Sequence, residues 1–292
     1  MQIAILGLGL IGGSLARASA AAGWADRVTA WTPSGAGPRA AAGQGITPAT
    51  TIGAAIRDAD LVVLAAPPLA CLDLVGELAG DFASDLAADA VVTDVVSTKA
   101  VIVARAREVG LRFVGGHPLA GREIGGYEAS DPELFRARPW VIVPPDPADP
   151  AAEDRVAGLA AACGARPIRM GAVEHDAAVA AISHLPLVVS AALVEAMAGS
   201  PDWPTAAGLA ASGWASMSRL ARGDAEMGAG ILATNAAPVA DRLRALRAVL
   251  DAWLAALEAD PPVPDELRRR LAAARVQVMA TDAASGSGGG DR

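Results

Sequence analysis

The three histidines of this chain are its best candidates for proton transfer near neutral pH. His117 stands in G-G-H-P, directly after a predicted strand, where a neutral imidazole can take the proton of a hydroxyl while hydride leaves the same carbon. We therefore predict that His117 is a general base. His184, in S-H-L-P on an apolar helical stretch, is by itself more typical of a core histidine whose ring nitrogens are hydrogen-bonded within the protein. His175, in E-H-D near a helix start, is more typical of local capping or of the surface.

Three other polar residues are candidates for the same chemistry. Ser97 follows a buried-type strand and can hydrogen-bond to the reacting hydroxyl or to His117, or cap the next helix. Lys99, the single lysine of the chain, is either catalytic or a solvated helix residue. Arg219, in S-M-S-R-L-A-R, has the planar guanidinium that suits a carboxylate, although a solvated or ion-paired arginine is the ordinary alternative.

A glycine-rich turn near the start of the chain predicts a dinucleotide site. Residues 3–15 read I-A-I-L-G-L-G-L-I-G-G-S-L, which places Gly7, Gly9 and Gly12 in G-x-G-x-x-G spacing between a strand and a helix. The glycines allow a tight turn and close approach of a pyrophosphate, and the first N–H groups of the helix face the anion. The predicted strand 60–66, which stops at two prolines, ends at the same sheet edge. The predicted contacts are Gly7, Gly9, Leu10, Ile11, Gly12, Ala66 and Pro67.

The residues that follow the predicted strand 27–31 indicate which dinucleotide binds. An Asp or Glu commonly stands there and binds the adenosine ribose, but this chain has Thr32, followed by Ser34 and Arg39. Hydroxyls and a guanidinium can bind a 2′-phosphate that a carboxylate would repel, which favours NADP over NAD. The alternative is that this segment is a simple turn. Cys71 and Cys163 belong to no paired motif, so we predict neither a disulfide nor a metal site.

These residues need a scaffold that the hydropathy pattern describes. Strand-like segments alternate with helical ones up to residue 170, which predicts an α/β, doubly wound, parallel Rossmann-type sheet in domain 1–170. A helical substrate and dimerisation domain, 171–282, and a disordered tail, 283–292, follow. Pro186 is expected to free the Ile182 carbonyl and to kink the chain beside His184. The predicted strands are 3–6, 27–31, 60–66, 90–96, 112–116, 140–143 and 166–170, and the predicted helices of the second domain are 172–198, 205–222, 225–259 and 265–280.

Composition excludes several classes of partner. The 292 residues carry a formal charge of −8, which opposes nonspecific binding to nucleic acid or to an anionic membrane. No apolar run is expected to reach the roughly 20 residues of a membrane span, and the start of the chain lacks the basic flank of a signal peptide. We therefore expect a cytoplasmic protein. The helices are more apolar than one small bundle can bury, which predicts a homodimer.

Taken together, the motifs resemble those of the prephenate/arogenate dehydrogenases of tyrosine biosynthesis. The resemblance rests on G-L-G-L-I-G-G-S, T-D-V-V-S-T-K, G-G-H-P-L-A-G and E-H-D-A-A-V-A-A-I-S-H-L-P, at 7–14, 93–99, 115–121 and 174–186. It implies oxidative decarboxylation of prephenate to 4-hydroxyphenylpyruvate, or of arogenate to tyrosine, with hydride transfer to NAD or NADP. The absence of an obvious acidic partner for the amine of arogenate favours prephenate.

The resemblance also implies residue roles. His117 would be the base on the C4 hydroxyl, Ser97 its hydrogen-bonding companion, and His184 a residue on the substrate and nicotinamide side. Arg219 would anchor a substrate carboxylate. Two departures stand out: G-W-A-S-M-S-R-L-A has lost the Arg-Asp pair that precedes this arginine in the family, and Leu187 replaces a histidine. The alternatives are a β-hydroxyacid dehydrogenase or imine reductase that uses Lys99, and a non-catalytic NADP-binding sensor.

Overall fold

The computed structural model describes residues 1–122, 124–261 and 263–285. Eight strands form one sheet in the order β3-β2-β1-β4-β5-β6-β7-β8, in which all neighbours are parallel except β6 and β7. The strands are β1 Gln2–Leu6, β2 Arg27–Trp31, β3 Ile46–Pro48, β4 Leu61–Leu64, β5 Val91–Asp94, β6 Phe113–Pro118, β7 Pro139–Val143 and β8 Arg166–Arg169. The predicted doubly wound α/β fold is confirmed.

Helices pack on both faces of this sheet and then form the remainder of the chain. They are α1 Leu10–Ala21, α2 Ala36–Ala40, α3 Ile52–Ile56, α4 Pro68–Ala79, α5 Ala100–Glu108, α6 Pro150–Ala162, α7 Ala172–Val179, α8 Leu185–Ala198, α9 Trp203–Gly208, α10 Ser212–Met217, α11 Ala225–Thr234, α12 Ala236–Glu258 and α13 Pro264–Ser285. Short 3₁₀ turns cover Ala83–Asp85 and Leu220–Arg222. The chain divides into two compact units, 1–239 and 240–292.

The central strands are apolar throughout because the sheet is covered on both faces. Successive side chains of a strand point to opposite faces, so Ile3 and Ile5 enter one hydrophobic core while Ala4 and Leu6 enter the other. All four residues of β4 are buried. This arrangement fixes the carboxyl ends of β1, β4, β5 and β6 along one edge of the sheet, where the site residues lie.

His117 lies within a strand, which corrects the prediction that it follows one. Strand β6 continues through His117 and Pro118, which pair with Val141 and Trp140 of the antiparallel β7. The predicted strand 112–116 ends at Gly116. Gly116 is instead a place of close approach, because a Cβ there would lie 2.6 Å from the carbonyl oxygen of Asp94.

The helical boundaries also differ from prediction. The predicted helix 205–222 is divided into α9, α10 and a 3₁₀ turn, and the predicted helix 225–259 breaks at Asn235, whose side chain makes buried hydrogen bonds. Helix α13 continues through Ser285, so residues 283–285 of the predicted tail are helical. The rest of that tail lies outside the described residues.

The helical run 172–198 corrects the expectation that no apolar segment is long enough for a membrane. It has 27 residues with a mean hydropathy of 2.1 in its most apolar window, so by length and composition it could span a bilayer. The same run buries His175, Asp176 and His184 in hydrogen bonds with other parts of the protein. Polar side chains with protein partners are typical of a helix inside a protein, so we retain the prediction that the chain has no membrane span.

Pro186 does not end this run but changes its winding. Residues Ala180–His184 form a single π-helical turn between α7 and α8, and Pro186 follows in the first turn of α8. Proline has no N–H for the Ile182 carbonyl, and a wider turn accommodates the missing hydrogen bond. The predicted interruption beside His184 is therefore present as a π turn.

Candidate active site

The glycine loop joins β1 to α1 with geometry that only glycine permits. Gly7 has φ +110°, and a Cβ there would lie 2.4 Å from the carbonyl oxygen of Ala65. A Cβ at Gly12 would lie 2.0 Å from the carbonyl oxygen of Gly7. Gly9 precedes α1, no side chain caps the helix, and the space around a Cβ at Gly9 is open. The first N–H groups of α1 are thus available to an anion, and the loop fits the pyrophosphate of a dinucleotide.

The other predicted contacts on this side line the same edge. Leu10 and Ile11 are half-buried in the first turn of α1, and Ala66 and Pro67 are half-buried just after β4. The neighbouring strands β1 and β4 are parallel, so the loops that follow them lie at the same edge of the sheet. In open α/β sheets this edge is where the ligand binds.

The loop after β2 carries polar groups where the adenosine of a dinucleotide is expected to bind. The Thr32 hydroxyl oxygen is buried without a hydrogen-bond partner among the described residues. Ser34 instead accepts the N–H of Ala36 at 3.2 Å, as a turn residue does. The exposed Arg39 side chain extends over Gly35, where a Cβ would lie 2.6 Å from Nη1. Thr32 and Arg39 therefore flank this loop, whereas Ser34 is engaged in the turn.

A buried ion pair supports the strand that carries the histidine. Lys99 Nζ donates to the Asp94 carboxylate and, at 2.7 Å, to the Gly116 carbonyl oxygen. Asp94 also accepts the N–H groups of Gly116, at 3.1 Å, and Val96, at 3.0 Å. Burial raises the pKa of Asp94 and lowers that of Lys99, and their mutual attraction opposes both shifts. Because its ammonium is engaged at the backbone next to His117, Lys99 is a structural residue.

His117 is joined to a second histidine that we did not place in the site. His117 is 8% exposed, and its Nδ1 lies 2.8 Å from His175 Nε2. His175, on α7, is 1% exposed, and its Nδ1 lies 2.8 Å from Asp176 Oδ1. The interpretation of His175 as a capping or surface residue is wrong. The motif E-H-D signalled it only as a neighbour of a helix start, because nothing in the sequence pairs residue 175 with residue 117.

The surroundings of His117 keep its imidazole neutral. Burial is the main reason that the pKa of His117 lies well below its ordinary value, and electrostatic interactions with His175, Lys99 and His184 lower it further. A histidine with a lowered pKa carries a lone pair at neutral pH. The ring can therefore accept a proton.

Ser97 lies at the same sheet edge without touching the base. It is half-buried just beyond β5, the parallel neighbour of β6. Among the described residues, no hydrogen bond joins Ser97 to His117. The structure thus places Ser97 beside the cleft with its hydroxyl uncommitted to the imidazole.

His184 presents a hydrogen-bond donor. It ends the π turn, is 1% exposed, and has its Nδ1 3.0 Å from Asn235 Nδ2. The same amide nitrogen donates to the Asp176 carbonyl oxygen at 2.9 Å, so Asn235 acts as donor to both. His184 Nδ1 must then accept, and Nε2 bears the proton. Burial lowers the pKa of His184 to about 4, and its buried Nε2 has no partner within the described ranges.

Arg219 and Leu187 lie on the helical elements that follow His184. Arg219 is exposed and directly precedes the 3₁₀ turn Leu220–Arg222. Ser190 of α8 accepts the N–H of Ala221 at 3.1 Å and fixes that turn to α8. Leu187 is half-buried in the first turn of α8. Arg219 therefore precedes a turn that is hydrogen-bonded to α8, the helix that follows His184.

Two family models match the chain in succession. The nucleotide-binding domain of prephenate dehydrogenase matches residues 15–169, and the dimerization domain of prephenate dehydrogenase matches residues 171–272. Prephenate dehydrogenase from Bacillus subtilis is 31% identical over 246 residues, which are 82% of this chain and 66% of that protein. The chain spans about two thirds or less of the first curated relatives it matches.

Solved structures agree with these matches. A prephenate dehydrogenase from Aquifex aeolicus, in complex with hydroxyphenyl propionate and NAD⁺, has a TM-score of 0.85 at 25% identity and covers 97% of this chain and 98% of its own. An arogenate dehydrogenase from Synechocystis has a TM-score of 0.75 at 29% identity, and the match covers 95% of this chain and 100% of that chain. The glycine loop, the histidine-bearing strand and the helical half with its π turn, together with these matches, show that this chain belongs to the prephenate dehydrogenase family.

Proposed function

We propose that this chain is a prephenate dehydrogenase, which oxidises and decarboxylates prephenate to 4-hydroxyphenylpyruvate with NAD(P). The observation that carries the proposal is His117, a neutral buried imidazole at the carboxyl edge of the sheet that also carries the glycine loop. A lone pair placed beside a nicotinamide site is what oxidation of a secondary alcohol requires.

The residues divide the chemistry among them. His117 accepts the proton of the C4 hydroxyl as the carbon becomes a ketone. The ketone makes loss of the ring carboxylate favourable, because the electrons of the broken C–C bond complete an aromatic ring. His184 donates Nε2–H to a substrate oxygen, Ser97 hydrogen-bonds near the reacting hydroxyl, and Arg219 binds a substrate carboxylate. The bound nicotinamide supplies the hydride acceptor.

The charged groups of the site favour prephenate over arogenate. Arogenate carries an amine that calls for a carboxylate partner. The two carboxylates buried beside the histidines, Asp94 and Asp176, are both engaged in protein hydrogen bonds, with Lys99 and with His175 respectively. A keto acid side chain needs no such partner.

A matrix of two substrates and two cofactors tests this function. Prephenate and arogenate are each incubated with NAD⁺ and NADP⁺ while the absorbance of the reduced nicotinamide is followed. We expect turnover of prephenate with a higher kcat/KM than that of arogenate. Turnover of arogenate alone would overturn the substrate assignment, and no reduction in any combination would support a non-catalytic binding protein.

Arg39 is proposed to bind the 2′-phosphate of NADP, together with the unpartnered Thr32 hydroxyl. Loss of one charge-assisted hydrogen bond costs about 1.5–3 kcal/mol. We therefore expect Arg39→Ala to weaken NADP⁺ binding by about 10- to 100-fold and to leave NAD⁺ binding unchanged, since NAD⁺ lacks that phosphate. Calorimetric titration of both cofactors measures this directly. Arg105→Ala on α5 is the control, and equal losses for both cofactors would contradict the assignment.

Arg219 is proposed to anchor the substrate. Arg219→Ala should raise the KM for prephenate by about 10- to 100-fold, through loss of a charged contact, with the affinity for cofactor unchanged. Arg222→Ala, which removes another exposed guanidinium of the same 3₁₀ segment, is the matched control. Steady-state kinetics with cofactor titration separates the two effects, and an unchanged KM would exclude an anchoring role.

We propose that the protein is a homodimer assembled through its helical part. The match of residues 171–272 to a dimerization domain supports this. In the unit 240–292, large apolar side chains are exposed to solvent, among them Leu250, Leu254, Leu257, Leu271 and Val276. Apolar side chains exposed in such number along two helices are typical of an interface between subunits. Sedimentation equilibrium should give twice the monomer mass, and a monomer at all concentrations would contradict the proposal.

We also propose a cytoplasmic location. Cys71 and Cys163 are both free and buried. Unpaired cysteines are typical of proteins in a reducing compartment. Fractionation of cells that express the protein tests this location.

A further inference from the structure

We propose that His175, held by Asp176, is a positioning residue that fixes the tautomer of His117 and leaves the lone pair of the base on Nε2. The proposal rests on the proposed function, since it assigns the orientation of the base in that reaction. Three groups form a continuous chain: His117 Nδ1 lies 2.8 Å from His175 Nε2, and His175 Nδ1 lies 2.8 Å from Asp176 Oδ1. All three side chains are buried.

The end of this chain is a carboxylate that can only accept. Asp176 accepts the N–H of Lys99 at 2.7 Å and the N–H of Ala100 at 2.8 Å, both at the start of α5. Burial raises its pKa, but the hydrogen bonds from His175, Ala100 and Lys99 outweigh burial and hold that pKa below the usual value. Asp176 is therefore ionised, and His175 must donate to it from Nδ1.

The proton positions then follow in order. A neutral His175 with its proton on Nδ1 has its lone pair on Nε2, so it accepts a hydrogen bond. The donor is His117 Nδ1–H. His117 Nε2, which has no hydrogen bond to a described residue, is then the unprotonated nitrogen. The opposite tautomer would place the proton on Nε2, and the ring could not take the substrate proton there.

Three elements hold this arrangement rigid. His117 is in β6, the two backbone N–H groups that donate to Asp176 lie at the start of α5, and His175 and Asp176 are adjacent on α7. The two imidazole rings meet edge to face, with centroids 5.0 Å apart at an angle of 79°. The other titratable groups that face His117 are Lys99 and His184. The Lys99 ammonium lies against Asp94 and the Gly116 carbonyl oxygen.

The same contact stabilises the product of proton transfer. When His117 Nε2 takes the hydroxyl proton, the ring becomes an imidazolium whose Nδ1–H still donates to His175. A hydrogen bond from a charged donor is stronger than one from a neutral donor, so the contact strengthens as the reaction proceeds. His175 therefore acts on the rate through His117 without touching the substrate.

Two substitutions at His175 separate hydrogen bonding from packing. In His175→Gln the amide oxygen can reach the position of Nε2 and accept from His117. In His175→Asn the shorter amide reaches only toward Asp176. We expect His175→Asn to lower kcat by about 10²-fold, with the KM for prephenate, cofactor Kd and Tm unchanged, and His175→Gln to retain most of the wild-type kcat. Equal kcat in both variants, whether lowered or at the wild-type level, would overturn the proposal.

Nuclear magnetic resonance gives a readout that needs no turnover. The chain has three histidines, so histidine-selective ¹⁵N labelling yields three ring systems, which single substitutions assign. In the wild-type protein at pH 8 we expect His117 protonated at Nδ1 and bare at Nε2, and a change in this pattern in His175→Asn. A wild-type His117 protonated at Nε2 would overturn the proposal even if the enzyme turns over prephenate. The expected tautomer with no activity on prephenate would instead count against the proposed function alone.

Discussion

Replacing His117 by asparagine is expected to lower kcat by about 10²- to 10⁴-fold, the range that a general base contributes. Asparagine has no nitrogen that accepts the hydroxyl proton, whereas it keeps a polar group at the position of Nδ1. The glycine loop and the residues after β2 are untouched, so the affinity for NAD(P)⁺ should stay at the wild-type value. Stopped-flow and steady-state assays with prephenate measure the first effect, and cofactor titration measures the second.

The outcome separates a base from a structural histidine. If His117 only supported β6, His117→Asn would lower Tm and cofactor binding together with kcat. A kcat within the wild-type range would refute the assignment of His117 as base. His184→Asn serves as the comparison, because we expect loss of its donor to raise the KM for prephenate more than it lowers kcat.

Replacing Lys99 by methionine should reduce the free energy of unfolding by about 3–5 kcal/mol, the cost of leaving one partner of a buried ion pair alone. Lys99 and Asp94 are fully buried, and Lys99 also donates to the Gly116 carbonyl oxygen. Methionine fills the space but leaves the Asp94 carboxylate without its countercharge. Urea unfolding followed by circular dichroism measures the change.

A second substitution distinguishes this electrostatic cost from poor packing. In the double variant with Asp94→Asn neither side chain of the pair carries a charge, and the amide oxygen can still accept from one of the two N–H groups, of Val96 or of Gly116, that the carboxylate binds. We expect this double variant to recover part of the lost stability. Arg105→Ala, at an exposed pair with Glu108, should cost only about 0–1 kcal/mol. A Lys99→Met protein as stable as the wild type would contradict a supporting role for the pair.

Local sequence patterns predicted the scaffold well. The glycine loop was legible because a strand, a turn and a helix start occupy 13 consecutive residues and each glycine has a local steric reason. Strand β2 has the predicted bounds, and the edge strand β8 was expected. Short elements such as β3 and α3 were missed, since three to five residues give too little periodicity to stand out from turns.

The sequence motifs of the second half were recognised, but the hydrogen bonds that their residues make with one another and with β6 were not predicted. E-H-D and S-H-L-P stood out in the sequence, yet the roles of His175 and Asp176 were not predicted, and Asn235 was not singled out at all. Asn235 is 51 residues from His184, and His175 is 58 residues from His117. Hydrogen bonds over such separations depend on how α7 and α11 pack against β6 and α5, which periodicity does not encode.

The sequence by itself determined the family, the doubly wound sheet and the position of the nucleotide loop, because these depend on contiguous residues and on the hydropathy of individual strands. The tertiary structure alone decided that Lys99 supports β6, that His175 and Asp176 stand behind His117, and that Asn235 turns His184 into a donor. The physical reason is that the direction of a hydrogen bond is set by the full set of partners around each ring. Those partners come from distant parts of the chain and meet only when the helices fold onto the edge of the sheet.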